Sequence, residues 1–291
     1  MAVYGRTYKA YSGPLTSPAA RLSVIPRYAL SELFQSKLFL VFLVICAIPP
    51  LVMSVWVYLA HNAEAIKILN IPAEVIQRLL GVGPSFFSKW VMVPLLWMAF
   101  FMALVVGPSL ISPDLRNNAM PLYLGRPITR RDYILGKLAV LLLLLSAVTW
   151  VPGLLIFLFK SVLGGFEWFR DNFWIAGSIV LTSVAWIITL ALVTLAVSAA
   201  VKWKPVARLL FFAAPLVAQA LGTVVNFSLR THWGSLLSTE SLLAALRAGL
   251  FDLPQDQPAL PPIAAWLVFG MVSLLALAML RAKVRAYEVE R

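Results

Sequence analysis

The stretch "PLYLGRPITRRDYILGK", residues 121–137, lies between two long apolar segments, and its reading decides how the rest of the chain is arranged. It carries Arg126, Arg130, Arg131 and Lys137, with Arg116 just upstream, and is punctuated by Pro121, Gly125 and Pro127. A connector between two helices needs roughly 2–8 residues, and residues 112–137 are several times that. Ser112 and Pro113 read as an N-cap and a first-turn proline. A short helix is therefore predicted over "PDLRNNAMPLYL", with Asp114 in its first turn, where negative charge suits the helix dipole. Pro121 bends or breaks it, Gly125 stops it, and Pro127 prevents continuation. "TRRD" then opens the next helix, with Thr129 as N-cap and Asp132 at the third position of a capping box. The result is a knuckle between two spans. It is either a docking element for a cytoplasmic partner or an inert loop held at the lipid surface by its arginines.

The flanking composition requires a membrane. Of 291 residues, 61% are hydrophobic and only 12% charged, whereas soluble domains are nearer half apolar and a quarter charged. A hydrocarbon core of ~30 Å needs about 20 apolar residues as helix. Six stretches satisfy this, at about 38–60, 90–111, 138–159, 173–201, 205–229 and 263–280, and none alternates like a strand. Pro49-Pro50 and Pro152 are expected to kink their helices. The expected fold is an all-α membrane protein. Residues 1–37 form a cytoplasmic N-terminus, 38–281 a six-span domain and 282–291 a cytoplasmic tail. No apolar h-region of a cleavable signal is evident in residues 1–37.

Charge sets the orientation. One set of loops holds Arg6, Lys9, Arg21, Arg27, Lys37, Arg116, Arg126, Arg130, Arg131, Lys137, Lys202, Lys204, Arg208, Arg281, Lys283, Arg285 and Arg291, which is 17 of the 24 basic residues. The other holds Lys67, Arg78, Lys89, Lys160, Arg170, Arg230 and Arg247. The positive-inside rule then puts both termini in the cytoplasm. The net +12 reads as topology and attraction to anionic membrane lipid rather than to nucleic acid.

Before the first span, "IPRYALSELFQSK" places Leu30, Leu33 and Phe34 at helical spacing opposite Arg27, Ser31, Glu32 and Gln35. This reads as an amphipathic helix on the inner leaflet, begun at Pro26. On the outer side, Ile71–Gly81 and "STESLLAALRAGL", capped by Ser238 or Thr239, read as short interfacial helices.

The segment "ISPDLRNNAMPLYLGRPITRRDYILGKL" resembles the matching segment of ABC-2-type transporter permeases. Pro127-Ile128-Thr129-Arg130, Tyr133 and Gly136-Lys137 match that family's pattern, and "RYALSELFQSKLFL" resembles its interfacial helix. Asn117-Asn118-Ala119-Met120 stands where the family often has Glu-Xaa-Gly-Thr. The resemblance implies a permease subunit of an exporter in the inner membrane of a prokaryote. It implies a coupling helix between spans two and three that docks on a separate ATP-binding subunit. Asp114, Arg116, Asn117, Asn118, Met120, Tyr123, Arg126, Thr129 and Arg130 would carry that coupling. It also implies a second permease copy, as homodimer or heterodimer, with ATP and Mg on the partner ATPase.

The chain has no G-x-x-x-x-G-K-[ST] phosphate loop, so no cofactor site is expected in it. No catalytic constellation and no zinc spacing are evident, and Cys46 is the single cysteine. Gln219 and Asn226 in the fifth span, with Thr182 and Ser183 in the fourth, either line a translocation path or bond helix to helix. Two other classes stay open. One is a secondary transporter or channel, which usually shows ionisable residues within spans. The other is a permease-like subunit that transmits force without passing substrate.

The topology predicts a labelling pattern. In a Cys46→Ser background, single cysteines at Ser12, Ala119 and Ala286 should be shielded from an impermeant reagent in intact cells. Those at Ala73 and Ala245 should react. Labelling at Ala119 would overturn the orientation.

Overall fold

The computed structural model describes residues 18–62, 81–117, 129–254 and 260–283, with side chains from residue 24 onward. The described residues are almost all helical, and no strand is found among them. In chain order the helices are α1 (Pro18–Gln35), α2 (Lys37–His61), α3 (Pro84–Arg116), α4 (Arg130–Val148), α5 (Trp150–Ala200), α6 (Lys204–Leu229), α7 (Thr239–Leu250) and α8 (Pro262–Lys283). A 3-10 turn, Trp233–Leu237, precedes α7. The predicted outer helix at Ile71–Gly81 lies outside the described residues up to Leu80, and Gly81 is not helical.

Five helical stretches are long and apolar enough to cross a membrane: Lys37–His61, Pro84–Arg116, Arg130–Ala200, Lys204–Leu229 and Pro262–Lys283. The third has 71 residues. At 1.5 Å per residue it would run ~106 Å if straight, more than three times the hydrocarbon thickness. It does not run straight. Gly165 adopts φ 83°, ψ 172°, a conformation open essentially to glycine alone. Beyond it the chain doubles back. A Cβ on Gly153 would stand 2.8 Å from Ile179 Cγ2, and the Phe157 ring lies 5.6 Å from Trp168. A second break precedes the first leg. Pro152 offers no N–H to the Val148 carbonyl, and Thr149 leaves helical geometry at φ −111°, ψ −91°, its hydroxyl turning back to Leu145 O at 2.7 Å. The kink expected from Pro152 is found there. Pro49 and Pro50, by contrast, sit inside an uninterrupted α2.

The second leg of α5, residues 166–200, is the centre of the bundle and packs on α8, α4 and α3. Its hydroxyls and indole knit it to its neighbours. Trp186 Nε1 donates to Leu96 O at 3.0 Å, Thr189 bonds Ser273 at 3.1 Å, and Ser178 donates to Leu250 O. Near its start, α3 contains a π-helical turn, Phe87–Met92. Arg247 of α7 reaches into it and donates to Ser88 O at 2.7 Å. Burial holds the Arg247 guanidinium below its ordinary pKa, with Glu240 opposing, yet an arginine stays charged. Ser238 caps α7, accepting from the Ser241 N–H at 3.3 Å, as the sequence predicts. Asn226 accepts from the Gly234 N–H at 2.7 Å, fixing the 3-10 turn against α6, where a Cβ on Gly222 would overlap Gly234 O.

Two sequence expectations are corrected. Helix α1 starts at Pro18 and runs through Pro26 rather than starting there. Pro18 takes the first-turn place, and Ile25, packed on Gly136 of α4, holds the middle of the helix. Likewise Ser112-Pro113 does not begin a helix. The first-turn proline is Pro108, after Gly107, and the helix runs from there through Pro113 to Arg116.

The turn at Gly165 gives a prediction. Gly165→Ala should lower stability in detergent by about 1–3 kcal/mol, since alanine is strained in that conformation. Gly177→Ala, in helix with open space around its Cβ position, should be neutral or stabilising. Equal melting temperatures for the two variants would show that the chain does not reverse at Gly165.

Candidate functional site

The basic ends of the helices converge at one end of the bundle. Residues of α1, α2, α3, α4 and α6 share a single cleft there, with Lys137, Lys204 and Arg208 on its walls. Arg208 of α6 donates to Val105 O of α3 at 3.1 Å. The opposite end holds the Gly165 turn, α7 and the contact of Lys160 Nζ with His61 Nδ1 at 3.1 Å.

At the basic end, the last part of α3 (Pro108–Arg116) and the start of α4 (Arg130 onward) flank the segment 118–128, which lies outside the described residues. The two arms are tied across their base. Asp114 Oδ2 accepts from Tyr133 Oη at 2.7 Å and pairs with Lys137 Nζ at 2.9 Å. The Lys137 and Asp114 side chains are 9% and 17% exposed, so this pair is screened far less than a surface one. Tyr133 and Lys137 are one helical turn apart, which brings both to the same face, and the ammonium lies 5.5 Å from the Tyr133 ring centre. Asp114 therefore acts differently from the sequence expectation. It sits near the C-terminal end of its helix, where the dipole disfavours it, and a cation and a phenol hold it instead.

The start of α4 is as predicted. Thr129 Oγ1 accepts from the Asp132 N–H at 3.2 Å, and Asp132 Oδ2 accepts from the Thr129 N–H at 2.9 Å, a complete capping box. One turn on, Gly136 lets α1 approach: a Cβ there would stand 2.9 Å from Ile25 Cβ.

The α3 arm is also clamped to the central helix. Pro108 interrupts the α3 hydrogen-bond ladder. Ser198 Oγ of α5 accepts from the Ser112 N–H at 3.0 Å and the Ile111 N–H at 3.3 Å, while Ser112 Oγ donates to Ser198 O at 3.0 Å. Gly107 allows this closeness, since a Cβ there would overlap Thr194 Cγ2.

Of the predicted coupling residues, Asp114 is in the tie and Thr129 in the cap. Arg116, Asn117 and Arg130 are exposed at the tips of the arms. Asn118, Met120, Tyr123 and Arg126 lie outside the described residues. The four path candidates do not come together. Thr182 and Ser183 are fully buried with no hydrogen-bond partner for their hydroxyls, Asn226 holds the outer turn, and Gln219 is exposed on α6. Among the described residues no cluster of three His, Cys, Asp or Glu could hold a metal.

Sequence reasoning missed the tie itself and the Ser112–Ser198 clamp. A signal for the first was present: Tyr133 and Lys137 at i and i+4, with Asp114 as the nearby acid across the connection. The clamp had none, because its partners are 86 residues apart.

Removing one member of the tie leaves a buried charge unpaired, which is costly. Asp114→Asn or Lys137→Met should destabilise the protein by about 3 kcal/mol, read as denaturant or thermal unfolding in detergent. The apolar double replacement, Asp114→Leu with Lys137→Met, should recover most of that loss. Additive losses in the double variant would show that the two groups are not coupled.

No protein-family model and no curated protein matches the chain, so the functional argument rests on this geometry and the motif around it.

Proposed function

We propose that this chain is the permease subunit of an ATP-driven exporter of the ABC-2 type, working with a separate ATPase subunit that binds ATP and Mg. The observation that carries the reading is the tied pair of arms. Two helices run to the basic end of the bundle and are cross-linked there by a buried ion pair and a buried phenol at the base of residues 118–128. An inert loop needs no such frame. A docking element does, because force applied at its tip reaches the bundle only if its base does not yield. The Ser112–Ser198 clamp then joins that base to the central helix.

Both termini are cytoplasmic in this reading, and the membrane is the inner membrane of a prokaryote. The reversal at Gly165 supports six crossings rather than five. Helices α2 and α6 bury only 11% of their apolar windows within the chain, against 50–56% for the windows in α3 and in the Arg130–Ala200 stretch. Gln219 stands exposed within α6. Polar groups at that depth are costly against lipid, which supports a second permease copy beside α6. The full burial of Thr182 and Ser183 favours a path between copies, or force transmission alone, over a path through one copy.

The test is association with the ATPase. Arg116→Ala combined with Tyr123→Ala should weaken co-purification of the ATPase on the order of 30-fold in affinity, the size of a ~2 kcal/mol hot spot. Membrane insertion should be unchanged. Thr129→Ala, which removes an N-cap, should act more mildly, at ~1 kcal/mol. Wild-type association and coupled ATPase activity in the double variant would remove residues 112–133 as the docking surface.

A further inference from the structure

The cleft at the basic end has a volume of about 900 Å³, and neither the tie nor the docking segment accounts for it. One wall is α1, with Tyr28, Ala29 and Glu32; the other is α3 with the first turns of α6. Its lining is divided by chemistry. Leu38, Phe39, Val105 and Leu110 supply an apolar part, while Ser109, Asn117, Lys204 and Arg208 supply a polar one.

The charges within it are unequal in availability. Lys137 is already paired with Asp114. Lys204 and Arg208 are both exposed, four residues apart on one face of α6. Glu32 is the one other acid in the lining. The N-terminus of α6 adds to the positive side. This 26-residue helix starts at Lys204 with no side-chain cap; Pro205 carries no N–H, but the positive end of the dipole and the remaining first-turn N–H groups have no side-chain acceptor. Trp203, 68% exposed beside it, is of the residue type that settles at the headgroup level.

We propose that this cleft is a binding site for one anionic glycerophospholipid of the inner leaflet, its phosphate held by Lys204, Arg208 and the start of α6. The acyl chains lie along the apolar wall formed by Leu38, Val105 and their neighbours. Basic pockets between membrane helices on the cytoplasmic side bind anionic headgroups in this way. A free phosphate would use the cations but leave the apolar wall uncovered, and a zwitterionic lipid would bring its own cation against Lys204 and Arg208. Occupancy would fix the angle of α1, and through Ile25 and Gly136 the position of α4 beneath the docking segment. The inference rests on the membrane reading. It is independent of the ATPase reading, and its test contains no ATPase.

The experiment uses the full chain purified in mild detergent, with lipid retention read by native mass spectrometry after incubation with phosphatidylglycerol or phosphatidylcholine. The wild type should retain one phosphatidylglycerol per chain in preference to phosphatidylcholine. Lys204→Gln with Arg208→Gln should weaken that retention on the order of 30-fold, from ~1 kcal/mol per basic residue. Arg281→Gln with Lys283→Gln removes the same charge from the end of α8 and should change it little. Ala29→Trp fills the cleft without altering any charge and should also abolish retention, while Lys204→Arg should preserve it. Equal loss in the Arg281/Lys283 variant would reduce the effect to general surface charge and overturn the site. Undiminished retention in Ala29→Trp would do the same. Full competition by inorganic phosphate would assign the cations to a soluble anion and overturn the lipid as occupant.

Discussion

Every irregularity in this bundle has to satisfy the backbone groups it frees, because hydrocarbon offers them nothing. That constraint organises the tertiary contacts. Where Pro108 interrupts α3, a serine from the central helix takes the exposed N–H groups. Where α3 widens into a π turn, an arginine from α7 reaches the carbonyl of Ser88. Where the chain leaves helical geometry at Thr149, its hydroxyl turns back to Leu145 O. The first two of these departures are also places where distant parts of the chain are joined. The helices are held in register by their defects as much as by their apolar faces.

The two ends of the bundle are built differently as a result. The end that carries the Gly165 turn and α7 is closed by backbone contacts between glycines and by the hydrogen bonds of the Asn226 amide. The basic end is held by charge: the Asp114–Lys137 pair, the capping box, and the reach of Arg208 to Val105 O. Glycine contacts are insensitive to salt and partners. Exposed charged contacts such as the capping box respond to salt, whereas the Asp114–Lys137 pair, largely shielded from solvent, is screened far less.

Much of this was legible in the residues. Apolar runs gave the helices, and the Thr129–Asp132 spacing gave the start of α4, since both are local patterns. Pro152 gave its break for the same reason. The readings that missed were those where a local signal had two candidates. Ser112-Pro113 looks like a helix start, but the helix already runs from Pro108, and Ser198, far along the chain, accepts from the Ile111 and Ser112 N–H groups. Pro26 looks like a start until Pro18 and the packing of Ile25 on Gly136 outweigh the one lost hydrogen bond. Asp114 was identified as important on dipole grounds, and its actual partners lie across the connection. The "Gly-Lys" pair at residues 136–137 gains a physical meaning only in three dimensions: the glycine admits α1, and the lysine closes the tie.

The second leg of α5 runs unbroken over residues 166–200, about 50 Å at 1.5 Å per residue. Ser198 pins one end of it to the α3 arm, and Ser178, 20 residues away, joins it to Leu250 at the end of α7. Between those two anchors, about 30 Å apart along the axis, the helix has no break and no proline, and Trp186 packs against Phe269 midway. A rod fixed at two separated points cannot flex freely between them, so the two ends of the bundle share one rigid spine.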